Sequence, residues 1–156
     1  MQRGPTITRC VQQMNSHEHT GTRRPRPRVL LVDDDVESRQ ALAELLLMEG
    51  VEVVGQADEG RQGVDAAGEL LPDVVLMDLR MEPVGGIEAT RAIVQAVPSA
   101  QVVILTAYDG PMPERSAEQV GAYAYLVKGC SAAMMCEVIH QAWARSLETR
   151  RARRGA

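Results

Sequence analysis

The chain has 156 residues, 45% of them hydrophobic, and a formal net charge of −4, which suits one domain of ordinary size with a buried core. No apolar run approaches the roughly 18 residues of a membrane helix, and the amino terminus lacks the pattern of a secretory signal peptide. Three cysteines without a CxxC spacing indicate neither a disulfide framework nor a zinc site, so we expect reduced thiols in a cytoplasmic protein.

Short apolar runs recur along the chain at intervals that predict buried strands. Four of the five runs consist of four or five apolar residues in succession, the pattern of a parallel strand covered on both faces, and the run at 51–54 is interrupted by Glu52. The predicted strands are 29–32, 51–54, 74–77, 102–105 and 123–127.

Helical patterns lie between the predicted strands. In the first, Ala41, Leu45 and Met48 share one helical face, and Gly50 is a stop signal. Residues 61–70 and 112–120 are weaker patterns. The two remaining helices carry clear apolar stripes, at Ile87, Thr90, Ile93, Val94 and Val97, and at Met135, Val138, Ile139 and Ala142, with Ser131 as a plausible cap.

This alternation predicts an α/β fold with a doubly wound five-stranded parallel sheet. Parallel strands need crossover connections of one hand, so helices cover both faces of the sheet. In such open sheets the ligand site lies beyond the carboxyl ends of the strands.

Polar residues follow four of the predicted strands. Asp33, Asp34 and Asp35 follow the first, Asp78 the third, Thr106 the fourth and Lys128 the fifth. Converging carboxylates would repel one another and resist ionisation. A divalent cation relieves that repulsion, and hard oxygen ligands favour Mg²⁺ over zinc.

The same residues predict a site for phosphoryl chemistry. Asp78 is the candidate nucleophile, because carboxylates form aspartyl phosphates. Lys128 would supply a positive charge and Thr106 a hydroxyl donor for the phosphoryl oxygens. Each residue alone has a simpler explanation as a turn, surface or strand residue, and for Asp35 we favour capping of the first helix. The agreement of all four strand ends favours function.

The motifs around these residues resemble the receiver domain of two-component response regulators. They are the segments 29–34, 75–81, 86–89, 104–107 and 124–128. The resemblance extends over residues 28–147, leaving a flexible basic extension over 1–27 and a basic tail over 148–156. It implies a flavodoxin-like fold with strand order 2-1-3-4-5.

The resemblance also implies roles for individual residues. Asp78 would accept a phosphoryl group from a sensor histidine kinase. The chain would catalyse only its own phosphorylation and dephosphorylation and would not otherwise be an enzyme. Mg²⁺ would be bound directly by Asp34, Asp78 and the carbonyl of Arg80, and by Asp33 through water. Thr106 and Lys128 would contact the phosphoryl oxygens, and Tyr125 would be an aromatic switch that follows Thr106.

Three positions depart from the family pattern. Glu82, followed by Pro83, stands where the family usually has proline, and Gly85-Gly86 replaces a frequent Asp-Gly. Gly129 follows Lys128 where many members have a cis proline. We also expect Arg80 and Tyr108, which in the family border the path of the hydrolytic water, to slow hydrolysis of the acyl phosphate.

The output of such a chain is open to alternatives. Few residues follow the last predicted helix, too few for a helix-turn-helix module, although the motifs are closest to receivers that precede one. We therefore expect signalling to a downstream protein or a homodimer through residues 112–127 and the last helix, where Met134 and Trp143 are candidate contacts. The alternative is the receiver fragment of a longer DNA-binding regulator.

A phosphatase resembling the haloacid dehalogenases is a further alternative. Its Asp-x-Asp-x-Thr/Val motif would begin at Asp33, but Glu37 stands at the fifth position.

The arginines of residues 1–28 and 145–156 could contact nucleic acid or an anionic surface. Aromatic residues, which often accompany arginine in nucleic-acid sites, make up only 3% of the chain. We interpret these ends as solvated linkers without membrane or direct DNA contact. Met14 is an alternative start to Met1.

Overall fold

The computed structural model describes residues 24–107 and 118–156. Strands and helices alternate through this part of the chain. They are β1 (Arg28–Val32), α1 (Val36–Met48), β2 (Glu52–Ala57), α2 (Gly60–Leu70), β3 (Val74–Met77), α3 (Gly86–Ala96), β4 (Gln101–Thr106), β5 (Ala124–Val127) and a C-terminal helix (Ala132–Arg154). Most of the weak helix predicted at 112–120 lies outside the described residues.

The five strands form one parallel sheet in the order β2-β1-β3-β4-β5. This arrangement confirms the predicted doubly wound, flavodoxin-like fold class. Strand β2 is longer than expected, since it continues past residue 54 to Ala57. Its pairing with β1 through Val32↔Ala57 brings both strands to the same edge of the sheet.

Alternation along the strands divides the core into two layers. Leu30 and Val32 point to the face covered by α2 and α3, whereas Val29 and Leu31 point to the face covered by α1 and the C-terminal helix. All four side chains are almost fully buried. Strands buried on both faces therefore explain the continuous apolar runs of the sequence.

The buried face of α1 differs from the predicted one. Leu46 is fully buried, with Leu42 and Leu45 packed beside it, whereas Ala41 is exposed and Met48 is 84% exposed. The run of apolar residues at the end of α1 offered more than one apolar face. Contact with the sheet selects the face that contains Leu46.

The last helix is longer than predicted. Its buried residues include the expected Met135, Ile139 and Ala142, but it continues to Arg154, so residues 148–154 are helical rather than a separate tail. Arg150 lies in this extension and contacts the rest of the fold. Its guanidinium lies 3.0 Å from Asp73, whose side chain is only 4% exposed, and donates hydrogen bonds to the carbonyls of Leu71 and Pro72.

Two observations bear on the predictions from composition. Cys130 and Cys136 are free thiols, and burial, helped by the charge of Glu49, raises the pKa of Cys136. Within residues 24–107 and 118–156, no helix combines the length and the apolar character needed to span a membrane.

Candidate functional site

The carboxyl ends of β1 and β3 bring three aspartates together. Backbone hydrogen bonds fix this edge, from Asp33 to Ala57 at 3.0 Å and from Asp78 to Val32 at 2.9 Å. Asp33, Asp34 and Asp78 each offer a carboxylate oxygen, and these oxygens lie within 4.8 Å of one another. Asp33 and Asp78 are buried, whereas Asp34 is exposed. The cluster expected from the strand ends is thus formed by the fold.

Lys128 completes this cluster from the end of β5. Its Nζ lies 2.5 Å from Oδ2 of Asp33 and 3.6 Å from Oδ2 of Asp78. Burial by itself would lower the pKa of Lys128, but the hydrogen bond to Asp33 and the charges of Asp78 and Asp33 outweigh it and raise the pKa. The amine is therefore held as a cation between the two buried carboxylates.

Asp78 sits in an environment that disfavours its charge. Burial raises its pKa; Lys128 opposes this effect, and the neighbouring charges of Asp33 and Asp34 add to it. The backbone N–H of Arg80 donates to Oδ1 of Asp78 at 3.4 Å, which favours the ionised form. A cation bound beside this carboxylate would favour its ionised, nucleophilic form.

Asp35 has the structural role expected for it. It is the N-cap of α1, and its side chain accepts a hydrogen bond from the backbone N–H of Glu37 at 3.1 Å. Its own N–H donates to Oδ1 of Asp33 at 2.9 Å. Asp35 thereby links the start of α1 to the carboxylate of Asp33.

Thr106 and Tyr125 lie on the two strands nearest Lys128. Thr106 is fully buried at the end of β4, and its carbonyl accepts a hydrogen bond from the N–H of Lys128 at 2.8 Å. Tyr125 pairs with Ile104 and packs, half-buried, against the core layer under α2 and α3. The predicted contacts of Thr106 with a phosphoryl group and the switching of Tyr125 stay predictions. Tyr108 lies outside the described residues.

The departures from the family pattern fall in two loops beside the site. The peptide bond between Glu82 and Pro83 is cis. Gly86 has no room for a side chain, because a Cβ there would meet the carbonyl oxygen of Asp78 and the Cα of Leu79. Gly129 has φ +94°, a backbone conformation that glycine adopts without strain.

Arg39 is a residue near the site that the sequence did not single out. Its guanidinium donates to the backbone carbonyl of Asp33 at 2.6 Å and to the side chain of Gln56 at 3.2 Å. It therefore ties α1 to the ends of β1 and β2. Arg39 lies within a helix and belongs to no sequence motif. The sequence therefore gave no signal for this contact.

The donor set fits a hard divalent cation. Three carboxylates within reach of one another are the ligand type that Mg²⁺ prefers. The cationic Lys128 on the other side of Asp78 is suited to the oxygens of an anionic group. The arrangement can therefore bring a cation, a nucleophilic carboxylate and an ammonium group to a single transferring phosphoryl group.

Comparison with known proteins identifies relatives with the same fold. Residues 29–140 match the family described as "Response regulator receiver domain". The chain is 42% identical over 119 residues to the "Response regulator GacA" of Pseudomonas aeruginosa, covering 75% of this chain and 55% of that protein. It is 32% identical over 114 residues to the "Chemotaxis protein CheY" of Thermotoga maritima, covering 73% of this chain and 95% of that protein.

A solved structure of a response regulator domain is also similar to this chain. The response regulator domain of Thermotoga maritima CheB is similar with a TM-score of 0.70 and 30% identity, covering 77% of this chain and 98% of that domain. The chain spans about half the length of GacA, whereas it covers nearly all of CheY.

Proposed function

The chain belongs to the response regulator receiver domains of two-component systems, and we propose that its Asp78 accepts a phosphoryl group from a histidine kinase in a Mg²⁺-dependent reaction. One observation carries the proposal. Asp78 lies within 4.8 Å of Asp33 and Asp34, measured between carboxylate oxygens, and 3.6 Å from the amine of Lys128. These are the groups that phosphoryl transfer to a carboxylate requires.

The proposed metal ligands are Asp34, Asp78 and the backbone carbonyl of Arg80, with Asp33 acting through water. When bound, Mg²⁺ would neutralise charge on the carboxylates and on the phosphoryl oxygens. The chain's own contribution is to hold the ligands in place. The hydrogen bonds of Asp33 with Asp35 and of Asp78 with Arg80 orient the two buried carboxylates before any ligand arrives.

In the proposed transfer, an oxygen of the Asp78 carboxylate attacks phosphorus. The bond from phosphorus to the imidazole nitrogen of the kinase histidine breaks, and its electron pair stays with that nitrogen. The product is an acyl phosphate on Asp78 and a histidine free of phosphate. Lys128 and Thr106 stabilise the transferring oxygens, and burial of Asp78 limits access of water.

We further propose that the phosphorylated chain signals through its surface. Tyr125 would move with Thr106, altering the face formed by residues 112–127 and the C-terminal helix. On this face Val127 is 45% exposed and Met134 is 51% exposed, whereas Trp143 packs against the core. A downstream protein or a second copy would bind there. A DNA-binding output, as in a longer regulator, is the alternative.

The proposal is tested with acetyl phosphate and Mg²⁺, followed by measurement of the intact mass. The wild-type chain should gain one phosphoryl group, and Asp78→Asn should gain none. Asp65→Asn, which changes an exposed aspartate on α2, is the matched control and should gain the group at the wild-type rate. Phosphorylation that persists in Asp78→Asn would refute the assignment, and phosphorylation lost only in Asp33→Asn would support the phosphatase alternative instead.

A further inference from the structure

Arg39 contacts the loop that follows β1 and carries two of the clustered aspartates. Its Nη1 donates a hydrogen bond of 2.6 Å to the carbonyl oxygen of Asp33, which belongs to the peptide bond between Asp33 and Asp34. Its Nε donates to Oε1 of Gln56, the penultimate residue of β2, at 3.2 Å. Hydrogen bonds from a charged donor are stronger than neutral ones. One side chain of α1 therefore connects the ends of β1 and β2 beside the aspartate cluster.

The backbone on both sides of Asp34 is held by hydrogen bonds. Before it, the N–H of Asp33 donates to the carbonyl of Ala57 at 3.0 Å, and the carbonyl of Asp33 accepts from Arg39. After it, the N–H of Asp35 donates to Oδ1 of Asp33 at 2.9 Å, and the N–H of Arg39 donates to the carbonyl of Asp35 at 3.0 Å. Arg39 thus holds the loop with its side chain before Asp34 and with its backbone after it.

The carboxylate of Asp34 depends on this backbone for its position. Asp34 is exposed, and no residue in the described part of the chain donates a hydrogen bond to its side chain. Its carboxylate oxygen nevertheless lies within 4.8 Å of those of Asp33 and Asp78. The carboxylates of Asp33 and Asp78, by contrast, accept hydrogen bonds of their own. The course of the loop therefore sets the place of Asp34 in the cluster.

We propose that Arg39 is a positioning residue for Mg²⁺ binding, and that Gln56 orients its guanidinium. Through the carbonyl of Asp33, Arg39 holds Asp34 where its carboxylate lies beside that of Asp78. The inference rests on the proposed use of both carboxylates as metal ligands. Arginine has no acceptor atom, so its effect on a cation passes through the loop. Residues that orient metal ligands usually change metal affinity by about 10–100-fold when they are replaced.

The charge of Arg39 and its hydrogen bonds have opposite effects on a bound cation. A positive charge near the aspartates repels a cation, so charge alone predicts that Arg39→Ala binds metal more tightly. Loss of the hydrogen bonds releases the loop at Asp34 and predicts weaker binding. Salt screens the repulsion and leaves the effect of the hydrogen bonds in place. The direction of the change therefore distinguishes positioning from electrostatics, most clearly at high salt.

The first test measures binding of Mn²⁺, a probe for Mg²⁺, to the full unphosphorylated chain by electron paramagnetic resonance. We expect Arg39→Ala to weaken Mn²⁺ binding about tenfold, with Mg²⁺ competing for the same site. Arg151→Ala is the control, because it removes an exposed arginine from the C-terminal helix and should leave the affinity unchanged. An Arg39→Ala chain that binds Mn²⁺ as tightly as the wild type, or more tightly, would overturn the proposal. A wild type that binds no Mn²⁺ would overturn it as well.

The second test is a double-mutant cycle between Arg39 and Gln56. Gln56→Ala removes one partner of the guanidinium and should weaken Mn²⁺ binding by a smaller factor than Arg39→Ala. The double variant should bind as weakly as Arg39→Ala alone, because Gln56 acts through Arg39. Glu52→Ala, at an exposed position of the same strand, is the matched control and should not change the affinity. Losses that multiply in the double variant would contradict the proposed chain of contacts.

Phosphorylation by acetyl phosphate gives a readout that a general loss of stability would not reproduce. In Arg39→Ala the Mg²⁺ concentration that gives half the maximal rate should rise about tenfold, with a smaller fall in the maximal rate. A partly unfolded chain would instead lose rate at every Mg²⁺ concentration. A lower maximal rate with an unchanged dependence on Mg²⁺ would therefore count against positioning.

The outcomes separate this inference from the proposed function. Phosphorylation that persists in Asp78→Asn would refute the assignment of the acceptor, while an effect of Arg39→Ala on Mn²⁺ affinity would still support positioning. An unchanged Mn²⁺ affinity in Arg39→Ala, with phosphorylation still lost in Asp78→Asn, would refute the positioning role alone.

Discussion

Lys128 donates a hydrogen bond of 2.5 Å to Asp33 across 95 positions of sequence. The two residues follow β5 and β1, strands that do not neighbour each other in the sheet. Asp33 thus holds the amine of Lys128 beside Asp78, where the proposed transfer needs a positive charge. The contact is also the most direct way to test the geometry of the site, because each partner can be changed separately.

Chemical modification should report this contact, because Lys128 is the only lysine of the chain. Its side chain is 21% exposed, and its raised pKa leaves less neutral amine at a given pH. Acetylation of Lys128 should therefore be slow. Asp33→Asn removes the negative charge paired with the amine and so lowers the pKa of Lys128, and acetylation should become severalfold faster. The rates are measured by peptide mass spectrometry.

The N-terminal amine is the internal reference for this experiment, and Asp65→Asn controls for the loss of a negative charge elsewhere. Equal rates for Lys128 in the wild type and in Asp33→Asn would show that the ion pair does not protect the amine in solution.

Gly86 should be intolerant of any side chain. A Cβ at this position would lie 2.1 Å from the carbonyl oxygen of Asp78 and 2.7 Å from the Cα of Leu79, and both are backbone atoms. We expect Gly86→Ala to lower the free energy of unfolding by about 1–3 kcal/mol, the usual cost of overpacking. It should also slow phosphorylation of Asp78, because the loop that follows Asp78 must shift.

Gly68→Ala is the matched control, because Gly68 lies in α2 with no atom near a built Cβ. There alanine should raise the free energy of unfolding by about 0.5–1 kcal/mol through its better helix propensity. Urea denaturation measures both variants. A Gly86→Ala chain as stable as the wild type would contradict the close approach.

Arg150 should stabilise the fold through Asp73. Arg150→Ala removes the ion pair from a carboxylate that is 4% exposed, and leaves Asp73 with the N–H of Arg28 and the hydroxyl of Ser146. We expect a loss of about 1.5–3 kcal/mol, the range for hydrogen bonds to charged groups. Arg151→Ala, at an exposed position of the same helix, should change stability little. Equal losses in the two variants would indicate an effect of helix charge instead.

The strands and the aspartate cluster could be predicted because each depends on local pattern. A strand buried on both faces must be apolar throughout, and polar residues that follow such strands must meet at one edge. The order of the strands came from the resemblance, since apolar runs such as Val74–Met77 do not specify their neighbours.

Other features depend on contacts that no local pattern contains. The four consecutive apolar residues from Leu45 to Met48 project from different sides of α1. Only packing against the sheet therefore decides which side is buried. The helix beyond residue 147 carries Arg150, which pairs with Asp73, a residue far from it in the sequence. Arg39 likewise acts through a backbone carbonyl, a partner that every residue type offers.

Replacement of Thr90 with valine should stabilise the fold. Its hydroxyl is fully buried in α3 and has no hydrogen-bond partner among the described residues. A buried polar group without a partner costs about 1–3 kcal/mol, and valine replaces the hydroxyl by a methyl group of similar shape. We expect Thr90→Val to raise the free energy of unfolding by about 1 kcal/mol. Thr90→Ser keeps the hydroxyl, loses the methyl group and should lower the free energy by a similar amount.

Urea denaturation measures the free energy of unfolding of both variants. If the slope of this free energy against urea concentration is the same as in the wild type, the two-state comparison holds. The pair separates the hydroxyl from the packing, because only the hydroxyl differs between threonine and valine at nearly constant volume. If Thr90→Val were less stable than the wild type, the hydroxyl would have a partner in solution, such as a buried water or the carbonyl of Gly86 one helical turn earlier.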